Sequence, residues 1–543
     1  MSAEYDQVSP VVQTTHGKVR GILLKALYGE EFYGFDGIPY AEPPLGNLRF
    51  KAPLEIKAWT GILDCSQPQS KCIQVSSYTK QVEGSEDCLY LNISVKKLKS
   101  KSPLPVMVYI HGGQHKGGDA SRRAWGPDYF MKEDVVIISI GHRLGPFGFL
   151  TFADSSLEVP GNAGLKDIIL ALRWIKKNAE NFNGDPNNIT IFGHSSGAMI
   201  INILLASPQT EGLFHKAILM AGYSMEMNRT PYVEFRLAKH FGYEGENVDS
   251  QVYEFLTKID GSQLASANIF TEMEKAQNYT MAFVPCVEPY STPEAVILAE
   301  PRELLRTTWS NRIPIMLGTP SSDGLINLTD LYKNPDQYLK LFQNYPERIL
   351  TSTLKNHCDL KLQRELATSL LDHFCQAHGK DLTMENFYAL SKLFTHNILH
   401  TQDRLIQSRL SYAQADTYAY RFDFDSPDLN LYRIRFFAND RRGACHVDEL
   451  CYMFVIPATI KLDTSRPEYT TICRMVNMWV HFAATSNPNA PLTKDLVEWK
   501  PVSPEETRMI LNIGEELEFI PQPEFPKFEM YDRLFRLAGV PLF

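Results

Sequence analysis

The stretch "ITIFGHSSGAMI", residues 189–200, joins a short β-branched run to an apolar helical run through Gly-His-Ser-Ser-Gly. Four apolar or β-branched residues in a row, Ile189 to Phe192, predict a buried strand, and the residues after Gly197 predict a helix. Between them Gly193, Ser195 and Gly197 form the pattern Gly-X-Ser-X-Gly. A strand-to-helix turn this sharp brings neighbouring backbone so close that side chains flanking the serine would collide with it, which is why glycines stand there. The turn lifts the serine hydroxyl clear at the carboxyl end of the strand, where a nucleophile can be reached. A glycine-rich turn with incidental serines is the ordinary reading of such a pentapeptide. The strand before it and the helix after it favour Ser195 as a nucleophile.

Similar strands recur outward from this point: "VMVYI" (106–110), "VVIISI" (135–140), "AILMA" (217–221) and "IPIML" (313–317). Continuously apolar strands suit a parallel sheet covered by helices on both faces. "GLKDIILALRWIKKNAENF" (164–182) has the helical spacing that a crossover between parallel strands requires. From about Tyr332 to Asp416 the pattern is mostly helical, and "TYAYRFDF" (417–424) reads as a returning strand. No Pro/Gly/Ser-rich linker, charge block or short repeat divides the chain. The expectation is one α/β domain over 1–543 with a helical insertion around 332–416 and its chemistry beyond the carboxyl ends of the strands.

A serine hydroxyl becomes a nucleophile when a histidine takes its proton and an acid holds that histidine. In a site built on such an elbow the chain order is serine, acid, histidine. His446, in "GACHVDELCYMF", is delivered by a short Gly-Ala-Cys approach to what reads as a helix start, with Asp448 and Glu449 in its first turn. The acid must then lie between residues 195 and 446 at a strand end. Asp323, five residues past Gly318 in "IPIMLGTPSSDGL", stands there, although a histidine near a helix end and an Asp-Gly turn are each common on their own.

"YIHGGQHKGG" (109–118) admits three readings. Two histidines four apart, His111 and His115, would bind metal from one face of a helix, but a helix cannot run through so many glycines. A phosphate loop would end in Gly-Lys-Ser/Thr, which is missing. The third reading is a glycine loop after a strand that brings backbone N–H groups to a developing oxyanion. It assigns the donors to Gly113, Gln114 and Ser196.

The bulk properties agree with a small-molecule enzyme. The 543 residues are 44% hydrophobic and 22% charged, with a net charge of -9. That charge argues against a nucleic-acid binder. No run approaches the roughly 18 apolar residues of a transmembrane helix. The amino-terminal stretch has no basic start followed by an apolar segment, and "GVPLF" at the other end is neither a retention signal nor a lipidation box, so a cytoplasmic location is expected. Nine cysteines, odd in number and scattered, suit thiols better than a disulfide framework.

"FDGIPYAEPPLGNLRFKAP" (35–53), "GSEDCLYLN" (84–92), "GPFGFL" (145–150), "VPGNAGLKD" (159–167) and "NFNGDPNNITIFGHSSG" (181–197) occur in that order. With these motifs the chain resembles the type-B carboxylesterases of the carboxylesterase/cholinesterase family over essentially its whole length. "GPDYF" (126–130), "VEPY" (287–290) and "RFDFDS" (421–426) make it most similar to the insect α-esterases, a largely intracellular branch tied to detoxification and dietary ester metabolism. The resemblance implies an α/β-hydrolase fold, a mostly parallel sheet with helices on both faces. It also implies an acyl-enzyme mechanism, with no metal and no organic cofactor, in which Ser195 attacks an ester carbonyl, His446 carries the proton and Asp323 holds His446. The expected partners are small apolar esters; the alternative is a low-turnover protein that sequesters them.

The chain departs from the family at several positions. Relatives usually have glycine at Gln114, an aromatic residue at His115, glutamate at Asp323, a small residue at Ser196, serine at Ala221 and glutamate at His194. No tryptophan lies between Cys65 and Cys88 to receive a quaternary ammonium, which disfavours choline esters. The family's first disulfide would join Cys65 to Cys88. A reducing cytosol would leave both as thiols, and Cys72 is a third candidate nearby.

Overall fold

Residues Leu104–Ile110 show how the sequence divides the interior. Val106, Val108 and Ile110 enter an apolar layer with Ile168 and Leu172 of the helix Ala163–Asn178. Met107 and Tyr109, on alternate positions, enter a second layer with Met475 and Trp479 of the helix Pro467–Thr485. Both faces of the strand are dry, so it reads as one apolar run rather than as an alternation. The computed structural model describes residues 9–77, 79–376, 382–506 and 508–543. Residues 1–8 of the amino-terminal stretch, and 377–381 of the expected helical insertion, lie outside the described residues.

Among the described residues the main sheet has eleven strands. In chain order they are β1 (Ile22–Lys25), β2 (Glu31–Pro39), β3 (Tyr90–Val95), β4 (Leu104–Ile110), β5 (Val136–Ile140), β6 (Gly184–His194), β7 (Lys216–Met220), β8 (Ile315–Pro320), β9 (Thr417–Phe422), β10 (Met509–Ile513) and β11 (Leu517–Pro521). Their spatial order is β11-β10-β9-β8-β7-β6-β4-β5-β3-β2-β1. From β5 to β10 every neighbouring pair is parallel. The three amino-terminal strands and β11 run antiparallel to their neighbours and finish the two edges. The fold is that of an α/β-hydrolase, mostly parallel and flanked by helices. The strands expected at 106–110, 135–140, 189–192, 217–221, 313–317 and 417–424 are all present, each shifted by a few residues at most except the longer β6.

Register fixes where the strands end. Gly193 pairs with Ile110 on one side and Leu219 on the other, and Met220 pairs with Gly318. The loops that follow β4, β6, β7 and β8 therefore leave the sheet side by side. Helices Pro335–Asn344, Leu360–Cys375 and Phe387–Tyr412 build a third apolar cluster with the helix Phe528–Leu537. Leu325 and Leu328, just past the end of β8, belong to that cluster, so the helical layer backs the turn that carries Asp323. No helix among the described residues is long and apolar enough to cross a membrane.

The cysteine expectation is corrected. Cys72 and Cys88 form a disulfide with Cα atoms 4.8 Å apart, and Cys65 is a buried free thiol that burial pushes up to about 12. Cys65 is held elsewhere by its backbone, its N–H donating to the Arg20 carbonyl and its own carbonyl accepting from the Asp36 N–H. Cys72 instead lies in a backbone bridge to Ser85, which carries it to Cys88.

Candidate active site

β6 ends at His194, and Ser195 turns the chain into the helix Ser196–Ala206 with φ 57° and ψ −127°. That region is disfavoured for any residue with a Cβ and costs on the order of 1–3 kcal/mol, which the surroundings must impose. They do so by closeness. A Cβ on Gly197 would collide with the carbonyl oxygens of Ile110 and His111, and one on Gly193 would meet Ile110 again. The Ser195 N–H donates to the Met220 carbonyl at 2.8 Å, tying the elbow to β7. Both flanking glycines are thus explained by the approach of β4, as the sequence pattern predicts.

The acid and the base come from separate segments that are fastened together. Asp323 opens a short 3-10 turn, Asp323–Leu328, just beyond β8. The Ser322 N–H donates to the Ala444 carbonyl at 3.0 Å, so this turn lies against the loop that carries His446. His446 Nδ1 is 2.7 Å from Asp323 Oδ1. The loop is stiffened from below by buried Asp448, which accepts from the N–H groups of Cys445, Tyr432 and Arg433. Val447, between them, has φ 78°, an unusual conformation for a β-branched residue. The expected helix start is a 3-10 turn, Asp448–Tyr452.

The glycine loop after β4 lies on the elbow. The His115 N–H donates to Ser196 Oγ at 3.3 Å, and the Gly113 carbonyl accepts from the N–H groups of Lys116 and Gly117. Gln114 and His115 are both left-handed, with φ 58° and 57°. Among the described residues, the N–H groups of Gly113, Gln114 and Ser196 donate to no other group. Three backbone donors beside a strained serine are what an oxyanion would engage. His111 stacks on His142 with ring centroids 4.4 Å apart, whereas His115 packs edge-on against Phe149. The two histidines thus turn to different neighbours, and burial lowers all three imidazole pKa values, that of His115 to about 3.

Sequence reasoning passed over one pair. The His194 ring lies 4.6 Å from that of His446, and its Nε2 is 3.4 Å from Glu449 Oε1. The other Glu449 oxygen accepts from the Tyr420 hydroxyl at 2.7 Å. Burial drives His194 well below its usual range and Glu449 up to about 8, the nearby Asp323 charge adding to the latter. Both shifts run toward the uncharged forms, because burial penalises charge on either group. A glutamate placed directly before the apolar "LCYMF" run, and a tyrosine on the inward face of "TYAYRF", were the available signals.

Glu449 has a measurable consequence. Its pKa is raised from 4.5 in the unfolded chain to about 8, so the native state holds a proton that the unfolded state has released. The stability this contributes is complete below pH 4.5 and is lost as pH rises towards 8, by roughly 1.4 kcal/mol per pH unit. Glu449→Gln, neutral at every pH, should remove that slope in thermal melts between pH 5 and 8. Identical slopes in the two proteins would show that Glu449 is ionised in the native state.

Residues 8–528 match the model of the carboxylesterase family. Esterase B1 of Culex pipiens is 33% identical over 540 residues, covering 97% of this chain and 98% of that protein. The para-nitrobenzyl esterase of Bacillus subtilis is 30% identical over 533 residues, covering 95% and 97%. A crystal structure of juvenile hormone esterase from Manduca sexta, with OTFP covalently attached, superposes with a TM-score of 0.85 at 25% identity, covering 97% of this chain and all of that one.

Proposed function

The chain belongs to the carboxylesterase family, and from that premise we propose that it hydrolyses small apolar carboxylic esters through Ser195, His446 and Asp323. The observation that carries the reading is the 2.7 Å contact of Asp323 with His446, on the loop whose ring neighbours the nucleophile elbow. Asp323 fixes Nδ1 as the protonated nitrogen, leaving Nε2 to accept the Ser195 proton. Ser195 Oγ attacks the ester carbonyl, and the N–H groups of Gly113, Gln114 and Ser196 receive the oxyanion. His446 then gives its proton to the leaving alkoxide, so the alcohol departs and the acyl group stays on Ser195. Water, deprotonated by the same ring, releases the acid. Detoxification or dietary ester metabolism is the proposed setting.

A chromogenic short-chain ester tests this directly. Sustained release of the chromophore supports an enzyme. A burst of one equivalent followed by silence would instead make the protein a stoichiometric sink for esters.

Gln114 sets the acyl preference in this reading. Its side chain is exposed rather than folded into the loop, and its left-handed backbone costs about 1–2 kcal/mol that glycine would not incur. The side chain narrows the space beside the reacting carbonyl. Gln114→Gly should raise kcat/KM for a long-acyl ester more than for an acetate ester and should raise the melting temperature. Equal changes for both esters would rule out the narrowing.

A further inference from the structure

Within the oxyanion loop the fasteners are backbone ones, the Lys116 and Gly117 N–H groups on the Gly113 carbonyl. Four of its seven residues from 112 to 118 are glycines, which supply no side chain to lock the backbone. Its amino-terminal end is fixed by β4. Its carboxyl-terminal end is fixed by Gln74, a buried side chain from a distant part of the chain. Gln74 Oε1 accepts from the Gly118 N–H at 2.8 Å, and Gln74 Nε2 donates to the Gly118 carbonyl at 2.6 Å. One amide thus grips both polar groups of one residue, as a neighbouring strand would, and that sets the orientation of the peptides on either side.

Gln74 is itself anchored. Its Nε2 also donates to the Cys72 carbonyl at 2.9 Å, and its backbone lies in the short ladder of Gln74–Val75 with Val82–Glu83. The ladder is closed by the Cys72–Cys88 disulfide, and Cys88 stands two residues before β3 of the main sheet. A continuous path runs from the sheet through Cys88, Cys72 and Gln74 to Gly118.

We propose that Gln74 is a positioning residue for the oxyanion hole, held in place by the Cys72–Cys88 disulfide. The inference rests on the assignment of Gly113, Gln114 and Ser196 as oxyanion donors. Backbone donors act only at the right distance, and a displacement of about 1 Å can lower a rate by roughly 10²-fold. The Gln74 side-chain hydrogen bonds go to Cys72 and Gly118 rather than to Ser195, Asp323 or His446, so their loss should appear in the transition state and hardly at all in ester binding.

Gln74→Leu, close in size, removes all three hydrogen bonds and keeps the packing. With a short-chain p-nitrophenyl ester, kcat should fall on the order of 10- to 100-fold while KM changes less than threefold. Affinity for an alkyl trifluoromethyl ketone, whose hemiketal oxyanion occupies the same hole, should fall by the same factor as kcat/KM. A variant that melts lower yet turns over at the original rate overturns the proposal, as does one whose ketone affinity holds while kcat falls. If Gln74→Leu does not fold, opening Cys72–Cys88 with a reductant, followed by thiol titration, gives the second route. Turnover and ketone affinity must then fall together, and unchanged kinetics with the bond open overturn the proposal. Failure of the underlying reading looks different, because it appears with Gln74 intact, as covalent labelling that survives Ser195→Ala.

Discussion

Ser195→Ala will reduce ester turnover by on the order of 10⁶-fold and abolish covalent labelling by a phosphonate ester, while the protein remains folded. The size of the effect follows from the proposed mechanism. Without Oγ no acyl-enzyme forms, and the oxyanion donors and the binding surface alone leave roughly 10³ to 10⁴ over water. The fold should tolerate the change, because serine and alanine carry the same Cβ at φ 57° and suffer the same backbone strain. Ser195→Gly, equally inactive, should melt higher than Ser195→Ala, since glycine relieves that strain. Mass spectrometry of the labelled protein and a thermal melt check both statements. Labelling that persisted in Ser195→Ala would move the nucleophile elsewhere, with Ser196 the first to examine.

The parts of this molecule that were legible in the sequence are those written locally. β4 and the Ile189–Phe192 part of β6 are buried on both faces, so they appear as apolar or β-branched runs, and the glycines at 193 and 197 mark a collision with β4 that any such elbow must avoid. Asp323 and His446 could be chosen because chain order and strand ends narrow the candidates, and the structure brings the two together. What depends on distant segments was not legible. Cys65, Cys72 and Cys88 look alike along the chain, and only the bridge from Cys72 to Ser85 selects the bonded pair. The grip of Gln74 on Gly118 spans 44 residues and uses an amide that no motif marks. The antiparallel edge strands β1 to β3 are short or interrupted, and one of them, β2, shifts register between Phe35 and Ile38, which blurs any period-two pattern. The pairing of His194 with Glu449 arises where the end of β6 meets the 3-10 turn Asp448–Tyr452, far apart in sequence.

Asp323→Asn should leave the melting temperature near that of the unsubstituted protein and lower turnover by about 10⁴-fold. The family resemblance leads to a glutamate at this position, and an aspartate, one methylene shorter, needs the two loops to stand close together. Gly443 has φ 119°, and a side chain there would strike that of Ser322, so the two loops can close until the Ser322 N–H reaches the Ala444 carbonyl. The neighbouring Gly324 N–H donates to Thr395 Oγ1 on the helix Phe387–Tyr412, which holds the turn from behind. The shorter acid is therefore compensated by backbone position, and Asp323 meets His446 directly at 2.7 Å. Asparagine has the same shape, so the turn should survive. Its amide can donate to Nδ1, which would place the ring proton on Nε2 and leave no base facing Ser195. Asp323→Glu should lose activity as well, though less, because the extra methylene must fit between loops closed around aspartate. Steady-state kinetics on the three proteins decide the matter. Turnover near the original level in Asp323→Asn would mean that another acid orients His446, and Glu449, already beside the neighbouring His194 ring, would be the residue to substitute next.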